Sequence, residues 1–141
     1  MRILLVGEYS GLHNALKYGL KSLGHEVTIV GDGDGFKNYP VDIKIYDNDF
    51  EKSWIKQKFR SLINRLAKKD LRDAVVLSRF RESENLLKDY DIVQFINSNA
   101  FNTEATTERK MIDFLLENNS KCILVACGDD TDYVRYLVND H

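Results

Sequence analysis

The chain has one proline, one tryptophan and two cysteines among 141 residues, and almost no net charge. A single proline and the lack of any low-complexity tract exclude a long flexible linker within it. The cysteines, Cys122 and Cys127, have an odd spacing along an apolar stretch. Extended backbone sends them to opposite faces, so they do not pair with each other. No metal-ligand spacing occurs, and the expected setting is reduced and cytoplasmic. A net charge of −2 supplies no global field that would select nucleic acid. Apolar runs such as Ile3 to Val6 are far too short to span a bilayer, and they lack the layout of a signal peptide. No internal repeat is present. What remains is 43% hydrophobic, enough for one domain with a single core and small for a two-domain enzyme.

The positive signals alternate between strand and helix. Arg2 to Val6 is a continuous apolar run that suits a strand covered on both faces. Residues 10 to 23 carry Leu12, Leu16, Leu20 and Leu23 as one helical stripe, with Ser10 as N-cap and Gly24 just past the end. Glu26 to Val30 is a second strand, which predicts a β-α-β crossover and a parallel pair. The link from Gly31 to Val41 (GDGDGFKNYPV) has no helical period, so it reads as an irregular surface loop leading to an edge strand over Asp42 to Tyr46. Helical patterns follow over Phe50 to Ala67 and Asp70 to Leu87, then a strand over Asp91 to Ile96. A helix over 103 to 117 turns Met111, Phe114 and Leu115 inward, a buried strand covers Lys121 to Ala126, and a helix begins at Thr131. The predicted class is α/β, a Rossmann-like, mostly parallel sheet flanked by helices.

In open parallel sheets, ligands collect beyond the carboxyl ends of the strands. Three loops qualify. In the first, Gly7 to Asn14, backbone N–H groups and Ser10 stand at a helix N-terminus, an arrangement that favours phosphate. Gly7 and Gly11 permit close backbone approach, and His13 is an acid–base candidate in the first turn. The competing reading is a plain turn with a surface histidine. Neither G-x-G-x-x-G nor G-K-[ST] is present. In the second, Asn97, Ser98 and Asn99 suit either sugar hydroxyls or an ordinary turn. In the third, Gly128-Asp129-Asp130, the carboxylates serve a hydroxyl or act as a base, or one of them caps the following helix. The glycine loop at 31 to 35 lacks the ligand pattern of a calcium loop and reads as a mobile connection beside the cleft.

Charge is unevenly placed. Lys52, Lys56, Lys58, Arg60, Arg65, Lys68, Lys69 and Arg72 stand against Glu51 and Asp70, giving +6 over residues 51 to 72 and leaving −8 elsewhere. With Trp54 and Phe59 this segment suits an anionic membrane surface or an acidic partner, or equally a solvated helix face over a packed stripe.

MRILLVGEYSG followed by LKSLGHEVTIV resembles the opening of GT-B glycosyltransferases of the family 4 / family 1-like type. DIVQFIN resembles a later strand of the same domain, and CGDDTDYVRY resembles the strand-end loop written H-G-S-D-[IV]-R in relatives, with Cys127 and Asp129 in place of its histidine and serine. The resemblance implies that residues 1–141 form the acceptor-side domain of a sugar transferase working in surface-polysaccharide or lipid-linked glycan assembly. The donor-binding domain would be absent from this chain, which would then be a fragment, inactive or weakly active alone. It implies that Gly7, Ser10 and Gly11, with His13 beside them, contact the donor's diphosphate or sugar. Asn97, Ser98, Gly128 and Asp130 would lie on the acceptor side, with His13, Asp129 and Asp130 as catalytic candidates. The nucleotide-sugar would be a substrate, with no cofactor and no metal required, and the protein would be cytoplasmic, peripheral at the inner face of the membrane. Two other readings compete: a non-catalytic flavodoxin-like or receiver-like binding module, and a docking domain with a degenerate site.

Overall fold

The computed structural model describes residues 1–46 and 71–125. These form a five-stranded, all-parallel sheet flanked by three helices, an α/β Rossmann-like fold. The elements are β1 (Arg2–Val6), α1 (Leu12–Ser22), β2 (Glu26–Gly31), β3 (Ile43–Lys44), α2 (Leu71–Ser83), β4 (Ile92–Phe95), α3 (Ala105–Glu117) and β5 (Cys122–Leu124). The strand order is β3-β2-β1-β4-β5. Chain direction across the sheet therefore reverses beside β1, and the crevice between β1 and β4 is its switch point.

The continuous apolar run of β1 is explained by burial on both faces. Leu4 and Val6 join Val76, Phe80, Met111 and Leu115 under α2 and α3. Ile3 and Leu5 join Val27 and Ile29 under Leu16 and Leu20 of α1. Each fully buried aliphatic side chain of this kind is worth about 1.5–3 kcal/mol. Phe80 meets Phe101 and Phe114 edge-on, with centroids 5.4 and 5.6 Å apart, which ties α2 to α3 and to the loop before α3.

Several expectations change. The helix stripe is rotated: α1 begins at Leu12, so His13, Leu16 and Leu20 face the sheet, while Leu12 and Leu23 are exposed. Among the described residues the third strand is an edge as expected but spans only Ile43–Lys44, and a short 3-10 turn at Gly35–Lys37 stands where a crossover helix is usual. Strand β5 was expected to be buried, yet Ile123 and Leu124 are exposed, because β5 is the last strand of the sheet among the described residues. The predicted end of α1 holds. The His25 N–H reaches the Leu20 carbonyl and the Gly24 N–H reaches that of Lys21, with Gly24 at φ +81°.

Two left-handed glycines separate strain from crowding. A Cβ on Gly24 would meet nothing within 4 Å. A Cβ on Gly7, at the same φ, would stand 2.6 Å from Ile96 Cγ2 and 2.7 Å from the Ala100 carbonyl oxygen. Gly24→Ala is therefore expected to cost about 1–2 kcal/mol from backbone strain alone, and Gly7→Ala at least about 3 kcal/mol. Urea denaturation of the two variants checks this, and equal losses would refute the crowding at Gly7.

Candidate functional site at the carboxyl edge of the sheet

The β1–α1 turn is built around a carboxylate that the sequence reading passed over. Glu8 is buried, and its Oε1 accepts the N–H of Tyr9 at 2.8 Å and of His13 at 3.3 Å. Its Oε2 accepts the N–H of Asn14 at 2.9 Å and also the Asn14 amide. Glu8 thus caps α1 from upstream. Ser10, expected as the N-cap, is not one: Gly11 holds that position with φ +82°, and no side chain caps from there. Ser10 itself is left-handed at φ 51° and donates its N–H to Asp34 Oδ2 at 2.7 Å. Lys37 Nζ reaches Asp34 Oδ2 at 2.8 Å and Ser10 Oγ at 3.0 Å, and lies over the Tyr9 ring. The Asp34 carboxylate holds the Lys37 ammonium above its ordinary pKa.

Most of the N–H groups expected to face a ligand are therefore already engaged. Gly7 donates to the Val30 carbonyl, Tyr9, His13 and Asn14 to Glu8, and Ser10 to Asp34. Gly11 lies against the Tyr39 ring, to which an added Cβ would come within 3.1 Å.

His13 is not at the surface. It is fully buried, with Nδ1 2.7 Å from the Gly7 carbonyl oxygen and Nε2 3.2 Å from Gln94 Nε2. A carbonyl only accepts, so Nδ1 carries the proton and Nε2 accepts from the Gln94 amide. Burial pushes the His13 pKa below its ordinary value, against smaller opposing effects of the Gly7 hydrogen bond and the Glu8 charge.

The glycine loop expected to be a mobile connection is braced. Asp32 Oδ1 accepts the Asp34 N–H at 3.1 Å, and Asp32 Oδ2 pairs with Arg72 Nη2 at 2.9 Å. Arg72 was counted with the basic segment, but it is buried and stacks on Tyr46 with its guanidinium carbon 4.6 Å from the ring centroid. It also donates to the Phe101 and Asn102 carbonyls. Arg72 therefore belongs to the interior of the rim and not to a solvated face.

On the β4–α3 side, Asn97 Oδ1 accepts the Asn99 N–H at 3.0 Å, closing a turn, and Asn99 Oδ1 accepts the Thr103 N–H at 3.1 Å. Glu108 is buried beneath this loop. It accepts from the Phe101 N–H at 2.9 Å and the Thr103 hydroxyl at 2.8 Å. Burial raises its pKa, while those donors and the nearby Arg72 charge pull it down. Ser98, Asn99, Thr103, Glu108, Arg109 and Asp113 line an open groove of about 500 Å³.

The expected Gly128, Asp129 and Asp130, with Cys127, lie outside the described residues, as do Lys52, Lys56, Lys58, Arg60, Arg65, Lys68 and Lys69. Among the described residues no helix is long and apolar enough to cross a membrane, and no group of three His, Cys, Asp or Glu is placed to hold a metal ion. The fold thus brings Gly7, Ser10, Gly11 and His13 together at one end of the sheet, but with the polar groups of Gly7, Ser10 and His13 turned to the chain itself. The residues missed by sequence reading are Glu8, Asp32, Asp34, Lys37 and Glu108. A carboxylate three residues before the cap glycine was the one legible signal among them. Comparison of the chain with known protein families, with characterised proteins and with solved structures gives no match.

Two outcomes follow from this turn. Replacing Glu8 with Ala removes the acceptor for three backbone donors and is expected to cost about 2 kcal/mol or more, whereas a cap on one donor is typically worth about 1 kcal/mol. Glu8→Gln, which keeps one acceptor oxygen, should fall between the two proteins in a urea melt; a neutral Glu8→Ala would refute the capping role. His13 sets a pH dependence. Its folded pKa lies below the unfolded value of about 6.5, so the unfolded chain takes up the proton first as pH falls. Stability should therefore drop from about pH 6.5 downward until the folded pKa is reached. In His13→Leu that part of the pH profile should be missing; a profile shared with the wild type would assign it elsewhere.

Proposed function

We propose that this chain is the acceptor-side, Rossmann-like domain of a GT-B-type glycosyltransferase, which moves a sugar from a nucleotide-sugar donor to a glycan or lipid-linked acceptor. The observation that carries the reading is the rim of the β1–α1 turn. There, at the carboxyl end of β1 in a sheet of order β3-β2-β1-β4-β5, Lys37 Nζ stands 3.0 Å from Ser10 Oγ. A hydroxyl on a turn held by Glu8, with a cation reaching it from the loop after β2, suits the oxygens of a departing nucleoside diphosphate, whose growing charge the two would stabilise. This moves the donor contact from the backbone N–H groups of Gly7 and Gly11 to the side chains of Ser10 and Lys37. The groove beside Ser98 and Asn99 presents an amide, hydroxyls and paired charges, chemistry suited to an acceptor's hydroxyls. The cations from Lys52 to Lys69 supply an attachment to an anionic membrane face.

The test is sugar transfer by the chain expressed within its complete open reading frame, with uridine, guanosine, adenosine and thymidine diphosphate sugars as donors. Lys37→Ala is expected to raise the donor KM about tenfold, the worth of one charge-assisted hydrogen bond, with a smaller effect on acceptor KM. No binding and no turnover of any of these donors would overturn the reading.

A further inference from the structure

The seat just described already holds an anion, and the anion is part of the chain. Asp34 Oδ2 accepts from the Ser10 N–H at 2.7 Å and from Lys37 Nζ at 2.8 Å, and Lys37 Nζ also reaches Ser10 Oγ. These contacts are those a phosphate oxygen would make: one backbone donor, one ammonium and a hydroxyl at its side. The first-turn donors of α1 play no part in them, being taken by Glu8.

The backbone that delivers Asp34 is unusual. Gly33, Asp34 and Gly35 all have positive φ, at 80°, 61° and 60°. Asp34 is held there by its own backbone bonds, its N–H to Asp32 and its carbonyl to the Lys37 N–H, and Gly33 before it accepts the Tyr39 N–H at 2.8 Å. A Cβ on Gly35 would meet nothing within 4 Å, so the loop is open on that side. The other side is anchored, because Asp32 is fixed by Arg72. The loop backbone is therefore fixed up to Asp34, and the Asp34 carboxylate leaves the seat by rotating about its side-chain bonds toward the open side at Gly35.

We propose that Asp34 is a built-in competitor: it occupies the anion seat of Ser10 and Lys37 in the empty protein, and a phosphate-bearing ligand binds there only by displacing it. The inference rests on the donor-phosphate reading above and adds self-inhibition to it. Two consequences are opposite to those of an ordinary ligand-binding aspartate. Removing Asp34 strengthens anion binding, and the gain comes from vacating the seat and not only from lost negative charge.

Two replacements separate those causes, and both tolerate a left-handed backbone. Asp34→Gly removes the charge and empties the seat, whereas Asp34→Asn removes the charge but leaves a carbonyl oxygen able to accept from Ser10. The full chain and both variants are titrated with inorganic pyrophosphate and with uridine diphosphate, followed through amide NMR signals. Asp34→Gly should bind at least about tenfold more tightly than the wild type, with Asp34→Asn clearly weaker than Asp34→Gly. In the wild type, binding should shift the Ser10 and Asp34 amides together. Equal gains in the two variants would overturn self-occupancy in favour of plain charge removal, and wild-type affinity in Asp34→Gly would overturn it outright. In either case the phosphate contact itself would stand. Failure of all three proteins to bind would remove that contact and the inference with it.

Discussion

The carboxyl edge of this sheet depends on the missing side chain at position 7. Gly7 is where three strands and two loops meet. Its N–H extends the β1–β2 ladder to Val30, and its carbonyl accepts the His13 ring. Its α-carbon would be 3.4 Å from a Cβ on Gly31, and its own Cβ would strike Ile96 and Ala100. In a doubly wound sheet this is the crevice where ligands are expected. Here the chain itself fills the space at Gly7, so the glycine serves the approach of one loop to another. What is left for a ligand is the outer lip, at Ser10 and Lys37 on one side and Ser98 and Asn99 on the other.

That packing has an electrostatic consequence. With the crevice closed, the donors of the β1–α1 turn cannot be left to water or ligand without cost, and buried N–H groups need partners. Glu8 supplies them from within the turn. Asp32 has a related role one strand over, where it joins the loop after β2 to Arg72 of α2, and Arg72 in turn holds the β4–α3 loop through the Phe101 and Asn102 carbonyls. A buried ion pair of this kind adds little net stability, because desolvation offsets most of the attraction. Its effect is positional: it fixes the stem of the glycine loop relative to α2 and α3, and so fixes where Asp34 and Lys37 can reach.

The fold was legible because burial writes a simple pattern. A strand covered on both faces must be apolar at every position, and Ile3 to Val6 is. A helix end closed by a left-handed residue favours glycine, and Gly24 is there. The helix face was less legible. His13 replaces a leucine on the inward stripe of α1, which a hydrophobic pattern cannot report, so Leu12 and Leu23 were assigned inward in its place. The site was legible only as a location. Ser10 is an apt cap by residue type, but the cap is a glutamate three residues before the cap position, and its identity depends on the turn's three-dimensional path. Arg72 reads as one more cation in a basic run, and only the fold puts Tyr46 under it and Asp32 beside it. Charge in sequence reports composition, while burial of charge is a property of tertiary contact.

The two carboxylates at the turn differ in a way that decides which can yield. Glu8 is 6% exposed and is held by four donors, one on Tyr9 before the helix and three in the first turn of α1, so displacing it would unmake the helix start. The Asp34 carboxylate has two partners, one of them the exposed ammonium of Lys37, and sits between two glycines at the tip of a loop. An incoming anion therefore meets a permanent occupant at the helix end and a removable one at the lip. Recognition of a charged group at this edge would then come from Ser10 and Lys37, with the α1 dipole already compensated by Glu8. The two glycines beside Asp34 differ in the same sense: Gly33 fits against the Tyr39 backbone and fixes the stem, while the open space at Gly35 lets the carboxylate turn away without moving the sheet that carries it.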